Sequence, residues 1–153
     1  MQRLDEKTFK TVVAFTPLVS IDLIIRNKQG KILLGLRTNR PAQGFWFVPG
    51  GRIGKDETFE QAFLRLTKIE LGFSLPLAMA SFIGPYQHLY NENFSGSDFS
   101  THYVVLGYQL NLDIDLQSLP TEQHQLYQWW DVDELIRSEQ VHHNTKAYFS
   151  DKL

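Results

Sequence analysis

Three features that would each indicate a particular class of protein are scarce or missing in this sequence. None of the 153 residues is cysteine, which excludes a disulfide, a thiolate nucleophile and a cysteine-bound zinc ion. The formal net charge is only −2, so the chain lacks the basic face that a long polyanion such as DNA requires. No stretch is long and apolar enough to span a membrane. A small anionic ligand, held by a few local arginines, is compatible with all three absences.

The residues that are present indicate a folded domain with one core. Hydrophobic residues make up 42% of the sequence, and its length fits one domain over residues 1–153. The first ten residues carry acidic side chains and no apolar run, unlike a signal peptide. We therefore expect a single domain, with the cytoplasm as the default location.

The pattern along the chain predicts both strands and helices. Apolar, β-prone runs predict strands at 18–26, 31–37, 45–49, 78–90, 101–112 and 127–131. Helical periodicity predicts helices at 5–15, 58–71, 132–137 and 144–149. Strands on both sides of an early helix, with further helices late in the chain, predict an α/β fold arranged as a mixed sandwich. The polar segment 91–98 is either a lid or a simple connection.

The predicted helix at 58–71 carries one acid on the side that faces the interior. On a helical wheel Glu70 lies at the edge of an apolar arc formed by Phe59, Ala62, Phe63, Leu66 and Ile69. A carboxylate on the packed side costs several kcal/mol unless it is paired or bound to a metal ion. Glu70 therefore needs a partner, and the wheel leaves two open: an arginine such as Arg52 or Arg65, or a cation.

The turn before this helix, "VPGGR", favours a ligand. Gly50 and Gly51 allow close approach of the backbone and a positive φ. A backbone carbonyl in such a turn can bind a hard cation, and the guanidinium of Arg52 can fork onto phosphate oxygens. An ordinary tight turn is the alternative, because a lone Gly-Gly pair is a weak signal.

Turn and helix together resemble the Nudix box, whose pattern is G-x5-E-x7-R-E-U-x-E-E-x-G-U. The positions that match in register are Gly51, Glu57, Arg65, Glu70, Gly72 and Phe73. Leu66 and Ile69 replace two acids of the box. In the family those acids gather metal ions and activate water for attack on phosphorus, so their replacement argues against ordinary diphosphate hydrolysis.

Longer segments resemble one branch of that family, the GDP-mannose mannosyl hydrolases. The segments are "TPLVS", "RTNRPAQGFWFVPGGR", "KDET", "NFSGSDF", "THYVVLG" and "EQH", and the resemblance runs from about Phe9 to Phe149. This branch departs from the box at the same two acids, although Leu36 stands where a lysine is expected. The resemblance implies a Nudix α/β/α sandwich with a mixed β-sheet, a homodimer, and hydrolysis of GDP-mannose to GDP and mannose.

The same resemblance implies a metal site and a general base. Mg²⁺, for which Mn²⁺ can substitute, would be held by the carbonyl of Gly50 and the side chains of Glu70 and Gln123. His124, singled out among five histidines by its place in "EQH", would be the base. Histidine suits this role because its unperturbed titration lies near neutral pH.

The resemblance also implies residues that bind the substrate. Arg37 and Arg52 would bind the diphosphate, and Arg3, Leu4 and Phe9 would bind the nucleoside. By residue type and position, Tyr103 could donate a hydrogen bond to the diphosphate, and Asp22 and His88 could reach the sugar. The residues at the diphosphate would also stabilise charge on the leaving GDP, which makes them catalytic. Simpler interpretations from the residues alone are a core position for Phe9, a half-buried strand aromatic for Tyr103 and an ion pair for Asp22.

One helix acid suffices if water attacks the anomeric carbon. GDP is a good leaving group that needs charge neutralisation more than a proton, and water attacks from the opposite face with inversion. GDP-glucose, which differs at one hydroxyl, is an alternative substrate. Two other functions stay open: a diphosphatase that cleaves at phosphorus to give GMP and sugar phosphate, and a non-catalytic sensor of nucleotide sugars.

Overall fold

The computed structural model describes residues 2–121 and 124–150, and of residues 124 and 125 it describes the backbone alone. Within these ranges the strands are β1 (Leu18–Arg26), β2 (Ile32–Arg37), β3 (Trp46–Phe47), β4 (Gly50–Arg52), β5 (Ser81–Tyr90), β6 (Thr101–Asn111) and β7 (His124–Trp130). The α-helices are α1 (Glu6–Phe15), α2 (Phe59–Leu71), α3 (Val132–Arg137) and α4 (His143–Lys146). None of these helices is long and apolar enough to cross a membrane, as judged over the described ranges.

All of these strands belong to one mixed sheet. β1 lies parallel to β6 over its whole length, from Leu18 opposite Tyr103 to Arg26 opposite Asn111. The other pairings are antiparallel and join β1 to β2 and β4, β2 to β3 and β7, and β5 to β6. The predicted α/β fold with a mixed sheet is thereby confirmed.

Helices cover both faces of this sheet because β1 is apolar on both sides. Ile21 packs on one face in a cluster that contains Phe63 of α2, and Ile24 packs on the other face in a cluster that contains Leu135 of α3. Successive side chains of a strand point to opposite faces, so a strand between two cores needs apolar residues at nearly every position. The sandwich arrangement follows from this double burial.

The predicted ends of α2 are confirmed, and local chemistry explains them. The hydroxyl of Thr58 accepts a hydrogen bond from the backbone N–H of Gln61 at 3.1 Å, and Gln61 Oε1 accepts one from the N–H of Thr58 at 2.9 Å. This reciprocal capping box satisfies N–H groups that the first turn of a helix leaves without partners. Gly72 ends the helix in the left-handed region with φ of 90°, which favours glycine.

Several elements differ from the sequence-based predictions. The segment expected as a plain turn is strand β4, β7 begins three residues earlier than expected, at His124 rather than 127, and a 3-10 turn precedes β5. On α2, Phe59 is 51% and Ile69 is 41% exposed, so the predicted apolar arc was too wide. The buried positions of the helix instead form a narrower stripe, namely Ala62, Phe63, Leu66, Thr67, Glu70 and Leu71.

Candidate active site

A cavity of about 520 Å³ lies where β1, β2, β4, β5 and β6 meet the side of α2. The predicted site residues that line it are Arg3, Asp22, Arg37, Gly50, Arg52, Glu70, His88 and Tyr103. Leu4 and Phe9 do not line it. Gln123 and the side chain of His124 lie outside the described residues.

The glycine pair of β4 lines the cavity, and close contacts with the backbone of β1 require a glycine at position 50. A Cβ atom on Gly50 would lie 2.4 Å from the carbonyl oxygen of Ile21 and 2.5 Å from Oδ1 of Asp22. A Cβ atom on Gly51 would lie 2.5 Å from Cδ2 of Leu66. The glycines thus allow close approach to β1 and to Leu66, and close approach to a ligand stays a prediction. The predicted positive φ is wrong, because neither glycine adopts one.

A forked ion pair joins α2 to the turn that precedes it. The carboxylate of Glu57 accepts hydrogen bonds from Nε of Arg65 at 2.6 Å, from Nη2 at 2.9 Å and from the backbone N–H of Gly54 at 2.7 Å. The hydrogen bonds from Arg65 are the main reason that the pKa of Glu57 is lowered. Nη2 of Arg65 also donates to the carbonyl oxygen of Arg52 at 2.7 Å. Arg65 thus holds Glu57 and the end of β4.

Glu70 is the acid of α2 that faces the cavity, and its side chain is only 2% exposed. Its carboxylate and the backbone of Gly50 line the same space, and oxygen donors suit a hard divalent cation. Among the described residues, no group of three or more acidic or histidine side chains is arranged to hold a metal ion. A cation bound at Glu70 would depend on that carboxylate together with carbonyl, amide or substrate oxygens, which is the donor set that the resemblance implies.

Aromatic rings support two of the arginines that line the cavity. Cζ of Arg52 lies 4.3 Å from the centroid of the Phe9 ring, and Cζ of Arg37 lies 5.3 Å from that of Phe47. Such cation–π contacts hold a guanidinium in place while its N–H groups stay available. Burial lowers the pKa of Arg52, but an arginine with so high a starting pKa remains charged.

Tyr103 lies on the same side of the cavity, near both guanidinium groups. Burial raises the pKa of its phenol, and the charges of Arg37 and Arg52 partly offset that increase. The hydroxyl is therefore protonated at neutral pH and can donate a hydrogen bond to an anionic ligand. This wall of the cavity presents positive charge and hydrogen-bond donors.

The structure places Phe9 beneath an arginine. Besides Arg52 on its face, the ring has Phe94 of the segment 91–98 as a neighbour, with centroids 4.8 Å apart. The amide group of the fully buried Asn93 holds that segment through hydrogen bonds to Asp98 and to the carbonyl oxygen of Phe99. Stacking of Phe9 on guanine stays a prediction, and its observed contact supports Arg52.

Asp22 and His88 form the end of the cavity next to Tyr148. Burial raises the pKa of Asp22 to about 7, and Tyr148 and Arg37 oppose that shift. The hydroxyl of Tyr148 donates a hydrogen bond to Oδ2 of Asp22 at 2.6 Å. The structure thus shows a hydrogen bond where the sequence left an ion pair open. Burial lowers the pKa of His88 to about 4, so its imidazole is neutral at pH 7. Nε2 of His88 is buried and has no hydrogen-bond partner among the described residues.

Two features of this end were not predicted. Tyr90 lines the cavity. It lies two residues after His88 on β5, and the two-residue period of a strand would have predicted that both side chains point to the same face. His142 is 8% exposed and stacks on Phe47 with centroids 4.7 Å apart, so the C-terminal segment forms a wall behind the cavity. No local pattern in the sequence connects that segment with β1.

Comparisons with known proteins agree with this architecture. The NUDIX domain family matches residues 16–153. The low-salt glycan biosynthesis protein Agl8 of Haloferax volcanii is 38% identical over 124 residues, which cover 81% of this chain and 78% of that protein. The crystal structure of a MutT NUDIX hydrolase from Burkholderia pseudomallei matches with a TM-score of 0.69 at 23% identity, covering 90% of this chain and 99% of the other. The MutT protein of Methanosarcina mazei Go1 matches with the same TM-score of 0.69 at 19% identity, covering 87% and 91%.

Proposed function

This chain belongs to the NUDIX family, and from that premise we propose that it hydrolyses a GDP-linked hexose, GDP-mannose first of all, to GDP and the free sugar. The observation that carries the proposal is the distribution of charge in the cavity. Arg3, Arg37 and Arg52 line it, whereas α2 contributes a single acid, Glu70. This combination suits the departure of a diphosphate better than the activation of water beside phosphorus.

Apolar residues replace two acids of the family pattern on α2. Leu66 is 3% exposed and packs against Gly51, and Ile69 is 41% exposed on the side of the helix. Hydrolysis at phosphorus relies on a dense cluster of carboxylates and metal ions around the attacking water. A helix with apolar side chains at both positions favours attack at carbon.

The reaction that we propose is a single displacement at the anomeric carbon. A water oxygen bonds to that carbon while the bond from the carbon to the β-phosphate oxygen breaks, and the electron pair leaves with GDP. Arg37, Arg52 and the hydroxyl of Tyr103 stabilise the charge that develops on the diphosphate. An α-linked substrate then yields the β-anomer of the sugar.

We assign the general base to His124, following the resemblance. Its backbone pairs with that of Arg37 in the ladder between β7 and β2, so it belongs to a strand that runs beside a cavity-lining residue. His124 accepts the proton that the attacking water loses. Positioned general bases typically contribute a rate factor on the order of 10² to 10⁴.

A divalent cation, Mg²⁺ or Mn²⁺, is the cofactor in this proposal. The Gly50 carbonyl, the Glu70 carboxylate and the Gln123 side chain would hold it. When bound, such a cation supplies neutralisation of the diphosphate charge. The arginines provide the remainder of that neutralisation.

The remaining binding roles follow the same proposal. Asp22 and His88 contact the sugar, and Arg3, Leu4 and Phe9 contact the nucleoside. The similarity to a protein named for glycan biosynthesis supports a nucleotide-sugar substrate, since glycans are built from activated sugars. We also propose a homodimer, which light scattering on the purified protein tests directly.

Hydrolysis in ¹⁸O-enriched water, with Mg²⁺ present and products separated early, tests the proposal. Attack at carbon places the label in the sugar, leaves GDP unlabelled and first releases the β-anomer. Label in a phosphate group, or the appearance of GMP, would instead show a diphosphatase. Tight binding of GDP-mannose without any product would show a sensor.

A further inference from the structure

The hydrogen bond between Tyr148 and Asp22 joins the C-terminal segment to the sugar end of the cavity. The two residues are 126 positions apart in the chain, and their oxygens are 2.6 Å apart. Asp22 lines the cavity, whereas Tyr148 is not among its lining residues. The tyrosine therefore contacts the carboxylate from behind, on the side away from a ligand.

The two oxygens of the Asp22 carboxylate have different surroundings. Oδ2 accepts the hydrogen bond from Tyr148. Oδ1 lies over the glycine turn, because a Cβ atom on Gly50 would be only 2.5 Å from it. A short O–H···O⁻ bond to one oxygen fixes the plane of the carboxylate and leaves the other oxygen as an acceptor.

The position of the Tyr148 ring is itself determined by close packing. Its centroid lies 4.5 Å from that of Tyr86, in an edge-on contact. A Cβ atom on Gly107 of β6 would lie 3.1 Å from Cε1 of Tyr148 and 3.0 Å from Cγ1 of Ile83, so the ring packs tightly against the backbone at that position. The phenol is thus directed at Asp22 by contacts with two strands.

Backbone contacts anchor the segment that carries Tyr148. The backbone N–H of Val48 donates to Oγ1 of Thr145 at 3.3 Å, and the N–H of His142 donates to the carbonyl oxygen of Trp46 at 3.2 Å. These bonds attach the segment to β3 and to the residues just after it. The Tyr148 hydroxyl therefore has little room to move away from Asp22.

We propose that Tyr148 is a positioning residue for sugar recognition, which holds Asp22 so that Oδ1 accepts a hydroxyl group of the hexose; this inference rests on the proposed function. The tyrosine thereby keeps the carboxyl group of Asp22 directed at the sugar.

The substitution Tyr148→Phe removes the hydroxyl and keeps the packed ring. At pH 8, where Asp22 with a pKa of about 7 is mostly ionised, we expect the affinity for GDP-mannose, measured by calorimetry, and kcat/KM to fall by about 10- to 100-fold, the loss typical of a hydrogen bond to a charged group. Affinity for GDP should stay within about twofold of the parent, because GDP has no sugar for Asp22 to bind. The matched control Tyr86→Phe removes a neighbouring phenol and should leave both affinities unchanged.

Two further variants make the test specific. Tyr148→Phe in an Asp22→Asn background should add less than about a twofold loss, because the positioned group is already altered. Gly107→Ala brings a Cβ atom 3.1 Å from Cε1 of Tyr148 and 3.0 Å from Cγ1 of Ile83, which shifts the ring by a few tenths of an ångström with its hydroxyl intact. It should give a smaller selective loss for GDP-mannose, and it serves as the test if Tyr148→Phe folds poorly. The thermal midpoint of each variant is recorded alongside.

The inference is overturned if Tyr148→Phe weakens GDP and GDP-mannose equally, which indicates a general structural role, or weakens neither. Failure of the proposed function has a different signature, because it would appear in the parent protein as absence of sugar release. The ratio of GDP-mannose to GDP affinity tests the positioning role in either case, since it does not require turnover.

Discussion

Replacing Arg65 should destabilise the protein more than replacing any exposed charge, and the size of the effect can be worked out from its contacts. Arg65→Ala removes two charge-assisted hydrogen bonds to Glu57 and the bond to the carbonyl oxygen of Arg52. The Glu57 side chain is only 9% exposed, so water does not replace the lost partner fully. What remains is a carboxylate held by the single N–H of Gly54.

Breaking a buried ion pair from one side costs about 3–5 kcal/mol, because the other charge stays buried without its partner. The surviving bond from Gly54 and the slight exposure of Glu57 place this case at the lower end, at about 3 kcal/mol. In a domain of this size each kcal/mol lowers Tm by about 2–4 °C, so a decrease of about 6–12 °C is expected. Arg65→Lys keeps the charge but loses the fork, and we expect about half the effect.

Urea unfolding followed by tryptophan fluorescence measures this loss as a lower midpoint at an unchanged m-value. Lys55→Ala is the matched control on the same turn. The ion pair between Lys55 and Asp56 has side chains 90% and 86% exposed, and exposed pairs contribute little. The control should therefore unfold at the parent's midpoint.

The loss should also depend on pH in a defined direction. The folded-state pKa of Glu57 is lowered from its ordinary value of 4.5, mainly by the hydrogen bonds from Arg65. A lowered carboxyl pKa contributes stability above the unfolded-state value, and that stability disappears as the pH falls through the folded-state value. The difference between parent and Arg65→Ala should be constant from pH 8 to about 5 and should shrink below about 4.5. A loss under about 1 kcal/mol at pH 7, or one that persists unchanged in acid, would refute this account.

Three other substitutions test the candidate site. Glu70→Gln should lower Mg²⁺ affinity and turnover together, as measured by calorimetry and by Mg²⁺ titration of the rate; a parent-like response would contradict the metal assignment. His124→Gln should lower kcat by about 10² to 10⁴ and remove the acidic limb of the pH–rate profile. His102→Gln is its control and should retain the parent's profile, and an unchanged limb in His124→Gln would exclude it as the base. Gly50→Ala would bring a Cβ atom 2.4 Å from a carbonyl oxygen of β1, so the free energy of unfolding should fall by about 1–3 kcal/mol. In the control Gly96→Ala the new Cβ atom lies 3.6 Å from its nearest neighbour, so the free energy of unfolding should not change.

Local signals in the sequence predict elements that are determined by neighbouring residues. The ends of α2 follow from the cap at Thr58 and the left-handed Gly72, which need no information from elsewhere in the chain. The segment Gly50–Arg52 is different, because glycine has little intrinsic preference for strands. It becomes β4 only through pairing with Ser20, Ile21 and Asp22 of β1, a contact that a pattern within the segment does not contain.

The residues of the candidate site also fall into two sets, those that local sequence predicts and those that depend on contacts between distant segments. Glu70 could be placed on the inward side of α2 from helical periodicity alone, and its exposure of 2% agrees with that placement. The Phe9 ring beneath Arg52 and the Tyr148 hydroxyl on Asp22 depend on contacts between distant segments. Neither sequence spacing nor residue type indicates such contacts, so these supporting residues emerge only when the fold is known.

The contact between Leu66 and Gly51 also bears on how such a site can change over evolutionary time. Leu66 is 3% exposed in the core beneath the turn, and its Cδ2 occupies the space directly beside the glycine. A mutation to glutamate there would first bury a charge against packed apolar neighbours, before a second acid at Ile69 could share a cation with it. The first step towards a helix with more acids would lower stability without yet adding a function. The packing of Leu66 thus sets a stability cost on gaining an acid at this position.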